Sequence, residues 1–132
     1  MKTLTKKKIN ALVEKTDTGF SAFAVDYPVF TTGKTISELT DNILEALNLY
    51  FEDDGISIES KNVHLEIDFK QFFQYYRVIN ARYLAERIGM NPTLLSQYVQ
   101  GRKKPSPFQT EKILKGIHQI GKELSELSFA NN

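Results

Sequence analysis

The chain has 132 residues, of which 41% are hydrophobic and 11% aromatic, enough for one ordinary domain or two small packed ones. The absence of cysteine excludes disulfides, thiol catalysis and cysteine-ligated zinc, and it suits a reducing cytoplasm. The net charge of +1 conceals an asymmetry: residues 1–68 carry seven Lys against twelve Asp and Glu, a net of −5, whereas residues 69–132 carry ten basic against four acidic residues, a net of +6.

This change of sign places a domain boundary near Phe69 and predicts two domains, residues 1–69 and 70–132. The basic second domain suits a polyanion, which the acidic first domain would repel. The basic residues at the start of the chain precede no long apolar run, so no cleaved signal is expected. Since no segment approaches membrane-spanning length, we expect a cytoplasmic protein without a membrane partner.

The first half has the pattern of a small sheet with one helix. Residues 8–15 alternate as a strand, residues 17–19 form a turn, and residues 20–25 form a second strand, with Phe23 and Val25 on the side opposite its other apolar residues. Residues 30–32 predict a short outer strand and residues 63–69 a final alternating one. Between them, Thr35 and Glu38 have capping-box spacing ahead of an apolar stripe of Ile36, Leu39, Ile43, Leu47 and Tyr50.

The predicted order is therefore three strands, one helix and one strand. We expect a small antiparallel sheet covered on one face by a helix, in the α+β class, followed by an all-α domain. The stretch KQFFQYYR at residues 70–77 predicts a short aromatic helix, whose Phe72, Phe73 and Tyr76 are interpreted as core residues rather than base-stacking ones.

Residues 80–109 predict two short helices, a tight turn and a basic loop. Asn80 can cap the first helix, Gly89 can end it in a left-handed conformation, and Asn91 with Pro92 can start the second. The connection then consists of residues 89–91 only. This spacing is typical of a helix-turn-helix, in which the second helix enters the DNA major groove, although a plain helical hairpin is the alternative.

The side chains of the second helix favour a role in DNA binding. Thr93, Gln97 and Gln100 lie opposite an apolar face of Leu94, Leu95 and Tyr98. Glutamine can bind an adenine edge, and a threonine methyl suits thymine. We expect Thr93, Gln97 and Pro92 to read bases, and a second set of residues to bind phosphates: Asn80, Gln100, Arg102, Lys103 and Lys104.

The last segment predicts a long helix. It starts at Ser106, Pro107 and Gln109, and an apolar stripe continues to residue 128, further than a small domain needs to cover itself. Gly116 and Gly121 weaken this helix by roughly 1 kcal/mol each relative to alanine. We infer that its far end packs against another copy in a homodimer or higher even oligomer; the alternative is that it folds back on the first domain.

The sequence offers no catalytic constellation. His64 and His118 lack a neighbouring ligand, and Glu52, Asp53 and Asp54 form a cluster typical of a solvated helix end. No phosphate-binding glycine loop or nucleophile elbow occurs. We therefore predict a protein that is not an enzyme, with no catalytic residues, metal or cofactor.

Two resemblances add to these interpretations. The segment LAERIGMNPTLLSQYVQGRKKPS resembles the lambda-repressor-like helix-turn-helix family, through Leu84, Ala85, Gly89, Ser96, Gly101 and Pro105. The first half is similar to the HicB family of antitoxins, in GFSAFAVDYP followed by TTGKTISEL. It departs from that family after Pro28, where the usual Gly-Cys pair is missing and the loop is one residue shorter.

The resemblance implies a partial RNase H-like first domain, an mRNA-cleaving HicA-like toxin as partner, and repression of the chain's own operon through double-stranded operator DNA. A toxin that grips RNA must be basic, so an acidic domain suits it. We expect Glu52, Asp53, Asp54, Glu66 and Asp68 to face the toxin. The alternatives are a repressor whose first domain senses a small molecule and an RNase H-like nuclease, the latter disfavoured because its carboxylates are missing.

Overall fold

The computed structural model describes residues 3–4 and 8–129. The basic stretch on which the prediction of no signal sequence rests lies largely outside these described residues. The chain forms two compact units, residues 1–75 and 76–132.

The first unit contains six strands and two α-helices in its described part. They are β1 (Thr3–Leu4), β2 (Ile9–Thr16), β3 (Gly19–Ala24), β4 (Phe30–Gly33), α1 (Ile36–Tyr50), β5 (Ile56–Ser57), β6 (Val63–Ile67) and α2 (Phe69–Tyr75). Short 3₁₀ turns occupy Glu52–Asp54 and Ser60–Asn62. Four strands form the main sheet in the order β4-β3-β2-β6, and β1 pairs with β5 in a separate parallel two-residue ladder.

The main sheet is mixed, so the prediction of an antiparallel sheet was wrong in one pairing. Strand β2 pairs antiparallel with β3, and β3 with β4, but β6 runs parallel to β2. The direction of β6 follows from the connection between β4 and β6, in which α1 and the segment after it carry the chain back along the sheet, as parallel pairing requires. A tight hairpin, in contrast, can only produce antiparallel neighbours.

Helix α1 covers one face of this sheet and supplies the centre of the core. The side-chain oxygen of Thr35 accepts a hydrogen bond from the backbone nitrogen of Glu38 at 3.1 Å, which confirms the first of the two bonds of the predicted capping box. Leu39, Ile43 and Leu47 are completely buried against the small residues of β2 and β3. At the two ends of the predicted stripe, Ile36 and Tyr50 remain exposed.

Helix α2 belongs to the first unit, so the boundary falls after Tyr75 and not after Phe69 as predicted. Phe69 and Phe73 are buried, and the Gln71 side chain is hydrogen-bonded to the backbone of Lys15 on β2. With this boundary the first unit has eight basic and twelve acidic residues, a net of −4, and the second has nine basic and four acidic, a net of +5. The opposition of charge is retained.

The second unit consists of α3 (Ala81–Ile88), α4 (Pro92–Val99) and α5 (Pro107–Ser125). Its interior contains Leu84, Ala85, Met90, Leu95, Tyr98 and Ile113, all buried. Ser106 caps α5 by accepting from the Gln109 nitrogen at 3.2 Å. The predicted capping box has only this bond, because the Gln109 side-chain oxygen is buried without a hydrogen-bond partner.

The described residues thus form a four-stranded sheet and five α-helices, a mixed α and β protein that agrees with the α+β class. None of these helices is both long and apolar enough to cross a bilayer.

Candidate functional site

The connection between α3 and α4 is fixed by its own backbone and caps. The Asn80 side-chain oxygen accepts from the Tyr83 nitrogen at 3.1 Å, and the Asn91 oxygen accepts from the Thr93 nitrogen at 2.8 Å. Gly89 has a φ of 70°, a left-handed conformation that costs glycine little, and the Met90 nitrogen donates to the Ala85 carbonyl at 2.9 Å. The predicted three-residue connection between two capped helices is confirmed.

Helix α4 has one buried and one accessible face. Leu95 and Tyr98 are buried, whereas Pro92, Thr93 and Gln100 are exposed and Gln97 is half-buried. Because Thr93, Gln97 and Gln100 are four and three residues apart, they lie along one side of the helix. The Gln100 amide nitrogen also donates to the Ser96 hydroxyl at 3.2 Å.

The basic loop is tied to the end of α4. Gly101 has a φ of 74°, and after it the backbone nitrogens of Arg102 and Lys103 both donate to the Gln97 carbonyl, at 2.9 and 3.3 Å. The side chains of Arg102, Lys103 and Lys104 are exposed. The basic loop that carries these three cations is therefore attached to α4 through the Gln97 carbonyl.

Helix α5 contacts both the turn and the end of α3. The Lys112 ammonium donates to the Gly89 carbonyl at 3.3 Å, and a Cβ built at Gly116 would lie 2.3 Å from Cγ2 of Ile88, so α5 passes close to α3 at that point. Asn80, predicted to contact phosphate, is exposed, but its side-chain oxygen is used in the cap of α3. Only its amide hydrogens could bind a phosphate.

The acidic residues predicted to contact a protein partner occupy three different settings. Glu52, Asp53 and Asp54 are exposed in the 3₁₀ turn that follows α1. Glu66 lies on β6, and Asp68 is half-buried and accepts from the Gln71 nitrogen at 3.1 Å. Asp68 thus caps α2, a local role that its position in an alternating strand pattern did not suggest.

The face of the sheet opposite α1, here called the open face, carries an apolar row. In the strand register Leu12 lies opposite Phe23 on β3 and Glu66 on β6, and Phe23 lies opposite Phe30 on β4. Phe23 is 37% exposed and Phe30 64% exposed. The neighbouring row adds Glu14, which is in register with Ser21 on β3.

The charged side chains of the open face are mainly acidic. The Glu66 carboxylate lies 3.6 Å from the ring nitrogen Nε2 of His64. No Lys or Arg occupies the paired strand positions that share this face, all of which the structure describes. The row could not be predicted from the sequence, because alternation within β3 puts Phe23 on one side but does not show that Leu12 and Phe30 lie next to it.

No known family model matches this chain, and no curated protein is significantly similar to it. The basic unit presents hydrogen-bonding side chains beside a basic loop, and the acidic unit presents an apolar row beside carboxylates.

Proposed function

We propose that this chain is an antitoxin that neutralises a HicA-like toxin through its first unit and represses its own operon through its second. The observation that carries the proposal is the opposite net charge of two separate compact units, −4 and +5. A single polyanionic ligand would suit only the second unit, and a single basic protein only the first.

In the second unit, α3 and α4 act as a helix-turn-helix and α4 is the recognition helix. Thr93 and Gln97, with Pro92 at the helix start, contact base edges. Asn80, Gln100 and the loop residues Arg102, Lys103 and Lys104 bind phosphates. The accessibility of the polar side of α4 and the attachment of the basic loop to Gln97 support this assignment.

In the first unit, the strand order and the parallel pairing of β2 with β6 support a partial RNase H-like arrangement of the HicB type. The toxin docks on the open face: Phe23 and Phe30 provide the apolar contact, and Glu66 the charge complementarity. Glu52, Asp53 and Asp54, on a different element, contribute to the long-range attraction of a basic partner more than to its final contact. Asp68 holds α2 in place and so shapes the edge of this surface.

Co-expression of the chain with a basic protein encoded beside it, followed by copurification and a gel-shift on their shared promoter, tests the proposal. We expect a stable protein complex and a specific shift of the promoter fragment. Phe30→Asp should abolish copurification and retain the shift, whereas Gln97→Ala combined with Lys104→Ala should do the reverse. Loss of both activities in each variant would contradict the division of roles between the units.

A promoter shift without any protein complex would overturn the antitoxin role. It would favour instead a repressor whose first unit senses a small molecule. A complex without any promoter shift would overturn the repressor role alone.

A further inference from the structure

One exposed aromatic side chain of the second unit, that of Phe108, lies apart from the other apolar groups. Phe108 is the second residue of α5 and is 73% exposed. The other large apolar side chains that are exposed among the described residues of this unit either line one groove or follow it at the far end of α5: Val78, Tyr83, Leu124, Leu127 and Phe129. About 24 Å of helix separates Phe108 from Leu124. Since single exposed apolar residues are common, the surroundings of Phe108 decide whether it has a role.

The chain around Phe108 is cationic. The segment GRKKPSPFQT, residues 101–110, contains three basic residues and no acidic one. Arg102, Lys103 and Lys104 are exposed and precede the ring by four to six residues. Four residues of fully extended chain span at most about 14 Å, which corresponds to about four nucleotides along one strand of duplex DNA. The ring and the cations can therefore reach the same short stretch of a single strand.

The ring also lies on the side of α5 that contacts the turn between α3 and α4. Lys112, one helical turn after Phe108 on the same side, donates to the Gly89 carbonyl at 3.3 Å. Glu111, the acidic residue on this side, forms an ion pair with Lys115 at 3.2 Å. Phe108 is thus the apolar member of an otherwise charged side of α5, at the end of the helix that the basic loop enters.

A DNA strand presents both kinds of group that this surface can bind. Phosphates alternate with sugars along the strand, so cations can bind the phosphates while a ring packs against the C–H groups of deoxyribose. A basic protein would be repelled by the three cations. An anionic lipid surface would attract them, but helices that bind such a surface bury a whole apolar face and not one ring.

The position of the loop also favours DNA. The backbone nitrogens of Arg102 and Lys103 donate to the Gln97 carbonyl at 2.9 and 3.3 Å, so the cationic segment starts directly at α4. The accessible side of α4 carries uncharged hydrogen-bonding side chains, which suit base edges better than lipid.

We propose that the Phe108 ring packs against deoxyribose groups of the strand whose phosphates bind Arg102, Lys103 and Lys104. This inference rests on the proposed operator binding and adds to it a contact of a different kind. Because the ring is uncharged and displaces no counterion, its contribution to affinity persists at salt concentrations that weaken the phosphate contacts. It touches no base edge, so it strengthens binding to every sequence alike.

The test measures the affinity of the full chain by fluorescence anisotropy at several salt concentrations. The probes are a duplex from the promoter of its own gene, a random duplex of the same length, and one strand of the random duplex. Phe108→Ala should raise the Kd for both duplexes by about tenfold, a change of 1.4 kcal/mol, without changing the salt slope. Lys104→Ala should instead reduce the slope by about one unit. Leu49→Ala is the matched control, because it removes a 65% exposed apolar side chain from the acidic unit, and it should change neither quantity.

A second measurement detects the contact directly. The chain contains no tryptophan, so Phe108→Trp introduces a single indole. Its fluorescence should change when either duplex is added. The indole of Leu49→Trp, in the acidic unit that DNA repels, should not respond.

The outcomes separate this contact from the proposed function. A chain that binds both duplexes, but in which Phe108→Ala matches the parent and the indole of Phe108→Trp does not respond, overturns the sugar contact and leaves operator binding intact. A parent chain that binds neither duplex at low salt overturns operator binding and the contact together. If Phe108→Ala lowers the salt slope, or weakens binding to the single strand more than to the duplexes, the contact with duplex deoxyribose is overturned in favour of an effect on phosphate contacts or of stacking on unpaired bases.

Discussion

The side chain of Gln71 pairs with the backbone of Lys15 as a neighbouring strand residue would. The Lys15 nitrogen donates to the Gln71 side-chain oxygen, and the Gln71 amide nitrogen donates to the Lys15 carbonyl, both at 2.8 Å. Strand β6 ends at Ile67, opposite Val13, so Lys15 lies beyond the ladder. The amide of Gln71 thus satisfies two half-buried backbone groups that β6 does not reach, and it joins α2 to the sheet.

Gln71→Ala should lower the free energy of unfolding of the first unit by about 1 to 3 kcal/mol, because it leaves a donor and an acceptor without their partners. Urea denaturation monitors the change, and amide exchange at Lys15 should accelerate. Gln74→Ala is the control, since Gln74 is an exposed residue of the same helix and should change stability by less than about 0.5 kcal/mol. Unchanged exchange at Lys15 in Gln71→Ala would contradict this role.

Gly89→Ala should destabilise the second unit by about 1 to 2 kcal/mol, because the left-handed backbone is unfavourable for a residue with a Cβ. The space around Gly89 is empty, so the cost is conformational and not steric. Gly89→Asn should recover part of the loss, since asparagine tolerates this conformation better than alanine. Thermal unfolding of the parent and of the two variants measures the order of their stabilities. Equal stability of the Ala and Asn variants would show that the conformation at Gly89 does not limit the turn.

Gln97→Ala and Lys104→Ala should impair DNA binding in different ways. Loss of the Gln97 amide should cost about 1 to 3 kcal/mol on the preferred site and relax sequence preference, whereas Lys104→Ala should weaken every sequence alike and reduce the salt slope by about one unit. Fluorescence anisotropy on promoter and random duplexes, at several salt concentrations, separates the two effects. Lys115→Ala removes an exposed lysine that pairs with Glu111 on α5, and it should change neither quantity. If Gln97→Ala lowers the affinity for all sequences equally, the assignment of Gln97 to base contacts is contradicted.

Phe30→Ala should weaken the complex with the proposed basic partner by about tenfold or more, since it removes the most exposed member of the apolar row. Leu49→Ala removes a similarly exposed apolar side chain, 65% accessible, from α1 of the same unit and should leave affinity unchanged. Surface plasmon resonance measures both. The reverse order of effects would move the docking surface from the open face to the helix side.

Glu66→Lys should slow the association of the same complex more than it speeds dissociation, because complementary charge acts mainly on the encounter. The effect should shrink as salt screens the attraction. Asp53→Lys, in the 3₁₀ turn after α1, should produce a smaller change of the same sign. An association rate that is independent of both substitutions would show that charge complementarity does not contribute to this interface.

The parts of the fold that the sequence predicted correctly are those specified by neighbouring residues. Asn80, Gly89, Asn91 and Pro92 define the boundaries of α3 and α4 through contacts within three or four residues. Thr35 and the stripe of α1 are equally local. Pairings between residues that are far apart in the sequence were harder to predict. Gln71 assigns α2 to the first unit through a bond across 56 positions, and the parallel direction of β6 depends on the path of the intervening chain.

The candidate sites divide in the same way. The polar side of α4 follows from helical spacing, so Thr93 and Gln97 could be named in advance. The open face could not, because Leu12, Phe23 and Phe30 lie on three strands and become neighbours only through the register. Asp68 shows the converse: its alternating position suggested a surface role, whereas its carboxylate caps α2.

The attachment of both Arg102 and Lys103 to one carbonyl, that of Gln97, has a mechanical consequence. Because the start of the loop is hydrogen-bonded to the helix, rotation of α4 about its own axis should also move the basic loop. If α4 reads DNA as proposed, a tilt that withdraws the Gln97 side chain from a base would also shift the neighbouring cations along the sugar-phosphate backbone. The preference for a base sequence and the affinity for the phosphates would then increase or decrease together.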